Sequence, residues 1–486
     1  METKQYYHAV LFPFMAKGHI IPLLHFAHLL LRRRSIHVTF VTTPATRSFV
    51  ADHLGGHPSS DVVAIPFPQG IVPPGVESSD KLPSMSLFPR FVMSTKLMLP
   101  DFERALGTLH GTRPVDFLVS DGFLGWTLES ANKFGIPRLV FYGMSCYASC
   151  ICKTVGDGNL LAGADLADDD PVTLPEFPWI QVVTRNDFEP PFSDPEPKGP
   201  YFDFHVSCFV SSANSFGLIV NGCYELEPFF VDHWNRHALP KAWCVGPFCL
   251  AEPDNINRSS SSNVTNGPTV FQPNNKVPGW WIEWLDRKLE QGVPILYVAF
   301  GSQAEISSNQ VKEIGRGLED SGVSFLWVIK NRDSELEEDR FEDQVKDRGI
   351  VVREWVDQRE ILTHPSVQGF LSHCGLNSTM EAISVGVPIL AWPMMAEQPL
   401  NARMVVEEIK VGLRVETFDG SVRGFVTRDG LAKMVKELME GERGKKVRKR
   451  AKEYGEMAEK AMEEGTGSSW RNLNSLMGEI CKRKEA

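Results

Sequence analysis

The feature that most constrains this chain is a rhythm. Short apolar runs alternate with amphipathic stretches in two successive series, separated by one polar interruption. In the first series, residues 8–14 form an apolar run broken near its end by Pro13, and Gly18-His19-Ile-Ile-Pro22 opens an amphipathic segment reaching about Arg34. Residues 36–41, 62–67, 117–120, 138–142 and 218–221 read as further strands, the last closing this half. Strands that alternate with helices pair in parallel, because only a long crossover returns the chain to the same end of a sheet.

Between residues 249 and 278 the pattern stops. Asn, Ser, Pro and Gly dominate there, as in Asn257-Arg-Ser-Ser-Ser-Ser-Asn-Val-Thr-Asn-Gly-Pro268, and large apolar groups are few. Such a stretch reads as a surface linker. A second series follows at 295–300, 325–329, 350–352, 369–372 and 388–392, with helical patterns at 310–321 and 378–384. The expected organisation is α/β, with two doubly wound, Rossmann-like domains facing one cleft. The boundaries fall at 1–248, a linker at 249–278, a second domain at 279–455, and a charged helical tail at 456–486 that packs back on the first domain.

Composition excludes several classes. A chain of 486 residues exceeds one ordinary hydrophobic core. Its net charge of −11 argues against nucleic-acid binding through a bulk field. The basic run Lys445–Arg450 lies in a Glu-rich helical stretch and reads as a solvated face. Nine scattered cysteines, without a Cys-x-x-Cys pair, fit reduced thiols in a cytoplasmic protein rather than a disulfide framework or zinc site. The N-terminus lacks the pattern of a signal peptide, and no apolar run approaches the ~18 residues of a membrane span. Asp168-Asp-Asp170 lies in a polar loop and is expected to be solvated. No dinucleotide fingerprint, phosphate-binding P-loop, nucleophile elbow or zinc-protease motif is present, nor a strand-end Asp-x-Asp for a metal.

Chemistry concentrates between residues 355 and 398. The order is Trp355-Val-Asp-Gln358, then His373-Cys-Gly-Leu-Asn-Ser378, then Glu381, then Trp392-Pro-Met-Met-Ala-Glu397-Gln398. An aromatic such as Trp355 can stack on a base. His373, Gly375, Asn377 and Ser378 surround the end of a strand and the start of a helix, where free amides and the helix dipole favour a diphosphate. Read alone, the same residues are simply a helix cap. Glu381, four residues beyond Asn377, lies on the same helix face and can accept two ribose hydroxyls. A second constellation lies near the N-terminus. His19 follows the first strand and Asp121 ends the fourth, in Ser120-Asp-Gly-Phe-Leu-Gly-Trp126. An Asp on one imidazole nitrogen fixes the tautomer and supports the charge the ring gains as a base.

The window at 355–398, with Gly18-His-x-x-Pro22, closely resembles the signature of the plant family of UDP-dependent small-molecule glycosyltransferases. That resemblance implies a GT-B arrangement whose second domain holds a UDP-sugar and whose first holds an apolar, phenolic or flavonoid-like acceptor. It implies Trp355 as uracil platform, Gln358 near the ribose with Glu381, and Ser302 as a second phosphate contact. It also implies Glu397 and Gln398 as sugar contacts, with His19 as general base oriented by Asp121. The implied reaction is inverting, needs no metal or other cofactor, and runs in a monomer. Three departures stand out. Glu397 replaces the usual Asp, keeping an acceptor with one more methylene. Leu376 stands where the family nearly always has Trp, and its side chain cannot hydrogen-bond, which opens the identity of the sugar. No Thr follows Asp121 near residue 142, leaving Ser145 as a weak substitute. Gln398 points to glucose; carbon-glycosylation, another donor, an epimerase or hydrolase, and a silent UDP-sugar-binding protein stay open.

Overall fold

The computed structural model describes residues 6–33, 35–163, 165–180, 183–251, 279–329 and 341–485. Two parallel sheets form its frame. The first contains β1 (Tyr7–Phe12), β2 (Ile36–Thr42), β3 (Ser60–Ala64), β4 (Phe117–Asp121), β5 (Arg138–Phe141), β6 (Gly217–Val220) and β7 (Ala242–Cys244), in the order β3-β2-β1-β4-β5-β6-β7. The second contains β8 (Ile295–Ala299), β9 (Ser324–Val328), β10 (Gly349–Val352), β11 (Val367–Ser372), β12 (Ile389–Ala391) and β13 (Gly412–Arg414), in the order β10-β9-β8-β11-β12-β13. Both therefore reverse direction beside their first strand, the arrangement that opens a crevice at the strands' carboxyl ends.

The strands form where the chain is apolar on both faces. β4, β5, β6 and β8 are buried at every residue, as a sheet covered by helices requires. β1 stops at Phe12 rather than running to residue 14, because Pro13 has no N–H to give the ladder. β3 lies at Ser60–Ala64, not 62–67; Ile65 and Phe67 are buried, but Pro66 ends the ladder between them. Two three-residue strands, β7 and β13, complete the sheets beyond those expected from the sequence.

Two features bear on how the halves join. Phe248–Ala251 form a 3-10 turn packed in the first core, so the first three residues of the expected linker belong with that core. The rest of the expected linker lies outside the described residues. The boundary at 455/456 falls inside one continuous helix, Glu442–Met462, which carries the chain from the second domain to the first. The last helix, Ser468–Glu485, then buries Leu473, Leu476, Met477 and Ile480 among Leu11, Phe26 and Trp243 of the first domain. At about 1.5–3 kcal/mol per buried aliphatic side chain, this contact ties the two halves together strongly.

Candidate active site

In each sheet the first and fourth strands are neighbours, β1 with β4 and β8 with β11. His19, Asp121, Ser302 and His373 lie at or beyond the carboxyl ends of these four strands, while Trp355 and Gln358 follow β10 and Glu397 and Gln398 follow β12.

His19 lies in the first turn of the helix Lys17–Leu31, which starts one residue before Gly18. Its Nδ1 is 2.6 Å from Oδ2 of Asp121, whose carboxylate is buried at the end of β4. The carboxylate accepts, so Nδ1–H donates and Nε2 keeps a lone pair. Oδ1 of Asp121 accepts the Phe123 N–H at 3.0 Å, which fixes the carboxylate. Burial alone would depress the His19 pKa; the charge and hydrogen bond of Asp121, helped by Glu397 and Asp80, outweigh it and raise the pKa above 6.5.

Across the cleft, Gln358 gathers the nucleotide candidates. Its Nε2 donates to Ser378 Oγ at 2.8 Å and to Glu381 Oε2 at 2.6 Å, so three residues from two helices form one polar cluster. The helix Leu376–Ser384 begins at Leu376, with Gly375 at its cap, so the amides of the His373–Ser378 turn surround its N-terminus. A Cβ on Gly301 or on Gly375 would stand 2.7 Å from His373 Nε2, so only glycine lets these loops close around the imidazole. Cys374, between His373 and Gly375, has φ of 64°, and Ala396, before Glu397, has φ of 53°. Non-glycine residues seldom adopt this conformation, and such strain clusters at ligand-binding loops.

The two sides meet directly. Asn377 Nδ2 donates to the Gly18 carbonyl, and Asn221 Nδ2 donates to Asn377 Oδ1 at 3.0 Å. Ser302 Oγ donates to Asp80 Oδ1 at 2.5 Å. Trp355, 48% exposed, faces the first domain, with Lys17 Nζ 5.2 Å from its ring centroid and Phe49 edge-on at 6.3 Å. Glu397 stands at the N-cap position of the helix Gln398–Arg403, receives Asn401 Nδ2 at 3.2 Å and takes the Leu376 N–H. Burial raises its pKa, partly offset by these hydrogen bonds and by His19. Gln398 Oε1 accepts the Met394 and Met395 N–H groups, each at 3.0 Å.

An aromatic wall flanks His19. Phe14 lies 5.4 Å and Phe123 5.8 Å from its ring, with Phe88 and Phe91 packed on Phe14. Phe192 and His205 extend the wall through Phe123. Burial pushes His205 down to about 4, and its Nε2 has no hydrogen-bond partner among the described residues. Trp179 packs edge-on against Phe229. Among the described residues, no three His, Cys, Asp or Glu side chains converge as a metal site.

Known proteins give this geometry a family. Residues 271–449 match the sequence model of UDP-glucoronosyl and UDP-glucosyl transferase. UDP-glycosyltransferase 90A1 of Arabidopsis thaliana is 51% identical, over 100% of this chain and 98% of its own length. The chain belongs to the plant UDP-glycosyltransferases. The fold agrees with two solved members of that group. Glycyrrhiza uralensis UGT73P12, complexed with glycyrrhetinic acid 3-O-monoglucuronide, matches with a TM-score of 0.84 and 29% identity, over 99% of this chain and 96% of the other. Phytolacca americana UGT2, complexed with UDP-2fluoro-glucose and pterostilbene, matches with a TM-score of 0.79 and 28% identity, over 98% of this chain and 100% of the other.

As a UDP-glycosyltransferase, the chain works with a UDP-sugar. Two of its departures from the family pattern now have surroundings. Leu376 is buried in the core at the first position of its helix. Ser145 caps the helix Cys146–Asp157 by accepting the Ala148 N–H, and its hydroxyl donates to Asn401 Oδ1 at 3.5 Å. Several residues at the cleft escaped sequence reasoning, namely Asp80, Asn221, Asn401 and Lys17. Each meets a candidate residue far away in sequence, and no local pattern marks any of them.

Proposed function

We propose that this UDP-glycosyltransferase moves glucose from UDP-glucose onto a phenolic, flavonoid-like acceptor, with inversion and without a metal. His19 Nε2 takes the proton of the acceptor hydroxyl while Nδ1–H stays on Asp121. The deprotonating oxygen attacks the anomeric carbon, the bond from that carbon to the diphosphate oxygen breaks, and UDP leaves with the electron pair. His373, Asn377, Ser378, Ser302 and the helix N-terminus face the charge that develops on the departing diphosphate. Trp355 offers a stacking face to uracil, Gln358 and Glu381 hold the ribose, and Glu397 and Gln398 hold the sugar.

The observation that carries this reading is the His19–Asp121 pair at 2.6 Å, joined across the cleft to the candidate diphosphate turn by Asn377 and Gly18. The Phe14–Phe123 wall beside His19 suits a flat apolar acceptor. Leu376 favours one second reading, a donor other than UDP-glucose, because an aliphatic side chain leaves the sugar's outer hydroxyls without a contact there. A monomer in the cytoplasm, with its thiols reduced, completes the proposal.

The test is mass spectrometry of products from a phenolic acceptor panel, with UDP-glucose, UDP-galactose, UDP-xylose and UDP-rhamnose supplied separately. A hexose gain from UDP-glucose is the expected result. A gain only from another donor would keep the mechanism and reassign the sugar; transfer from none, with UDP still bound, would overturn the acceptor class.

A further inference from the structure

The helix Gln398–Arg403 carries candidate sugar-reading groups at its start and an arginine at its end. Arg403 reaches across the domain boundary. Its Nε donates to Asp187 Oδ1 at 2.8 Å and its Nη2 to Asp187 Oδ2 at 2.9 Å, a bidentate pair in which both side chains are buried. Asp187 is itself fixed, because its Oδ2 accepts the Thr184 N–H at 2.8 Å. Arg403 Nη1 also donates to Glu407 at 3.0 Å. A second arginine of the same domain grips the same segment. Arg423 donates to the carbonyls of Asn186 and Phe188 at 3.1 and 2.8 Å and pairs with Glu189 at 2.8 Å. Three residues further on, Phe192 packs against His205 in the aromatic wall near His19.

A buried ion pair seldom stabilises more than an apolar pair of the same shape, so stability alone is a weak reason for one here. What a bidentate fork does supply is a fixed distance and angle between the elements that carry it. We propose that Asp187 and Arg403 are positioning residues that register the acceptor wall against the donor-sugar loop. The proposal rests on the reading of Glu397 and Gln398 as sugar contacts. With the pair intact, the acceptor oxygen is held over the anomeric carbon. With it broken, the wall drifts, and water can take the sugar instead, releasing UDP, free sugar and a proton.

The test uses the full-length enzyme with a donor and acceptor that it turns over. Asp187→Asn keeps the shape and removes the charge. Transfer turnover should fall by about 100-fold, the cost of roughly an ångström's misplacement, while UDP affinity changes less than about twofold. The ratio of UDP-sugar hydrolysis to transfer should rise by a similar factor. The double variant Asp187→Asn with Arg403→Met removes the fork and the unpaired arginine charge while keeping an oxygen for the Thr184 N–H. It should recover thermal stability yet keep the raised hydrolysis ratio. Equal loss of hydrolysis and transfer in Asp187→Asn, or a native ratio in the double variant, would show a merely structural pair and overturn the proposal. Gln398→Ala separates the underlying reading: loss of both hydrolysis and transfer there supports the sugar contact whatever Asp187→Asn does.

Discussion

The two sheets share a strand order and use the same point in it, yet they collect opposite kinds of side chain. At the β1/β4 crevice of the first domain stand one His–Asp pair and a wall of phenylalanines. At the β8/β11 crevice of the second stand glycines, a histidine, and the Gln358–Ser378–Glu381 cluster. Topology therefore decides where a ligand can bind, and residue type decides which ligand. An apolar wall with a single base suits a molecule with one reactive proton. Amides, small residues and polar side chains suit a charged nucleotide. The lesson is that one architectural solution is used twice, and on the proposed mechanism it sets proton removal and donor binding on opposite sides of the cleft.

The division is most severely stressed at the base. His19→Ala should lower transfer by about 10²–10⁴-fold, the usual range for a lost general base, as read by product formation at saturating donor. Full activity in that variant would remove the base assignment. Next in size is Asp121→Asn, expected to cost about 10²-fold in turnover and also to move the pH profile. On the proposed mechanism neutral His19 is the active form, so native activity should fall as pH drops through its raised pKa, above 6.5. Without the Asp121 charge, burial prevails and lowers that pKa, so the acid limb should move to lower pH. An unmoved limb would mean that another group titrates.

On the donor side, Glu381→Ala should weaken UDP by about 10–100-fold, since a hydrogen bond to a charged group is worth about 1.5–3 kcal/mol. Calorimetric titration checks this, and turnover at saturating donor should fall far less than the affinity does. The smallest effect is expected at Leu376. Its side chain is buried, so Leu376→Trp should cost about 1–3 kcal/mol of stability by overpacking, read by chemical denaturation, with UDP affinity nearly unchanged. A gain in glucose transfer from that variant would show instead that leucine had weakened a glucose site.

Much of this was legible in the sequence, and the exceptions have physical causes. Long apolar runs such as Ile295–Ala299 announced themselves, because strands buried on both faces leave no polar positions. The three-residue strands Ala242–Cys244 and Gly412–Arg414 did not, since edge pairing rather than any run defines them. Within the site, the family resemblance, read along the order of the strand ends, pointed to His19, Asp121, His373 and Asn377. Their partners could not. Asp80 meets Ser302, Asn221 meets Asn377, and Asp187 meets Arg403 only because two domains fold against each other. Sequence spacing carries no record of such contacts.

The most direct test of the divided cleft is a calorimetric UDP titration of His19→Ala beside the native enzyme. The two-sided account predicts an unchanged stoichiometry and an affinity within about twofold of native, because no group that binds the nucleotide has been touched. Loss of UDP binding together with turnover would contradict it, and would place His19 in the donor site rather than opposite it.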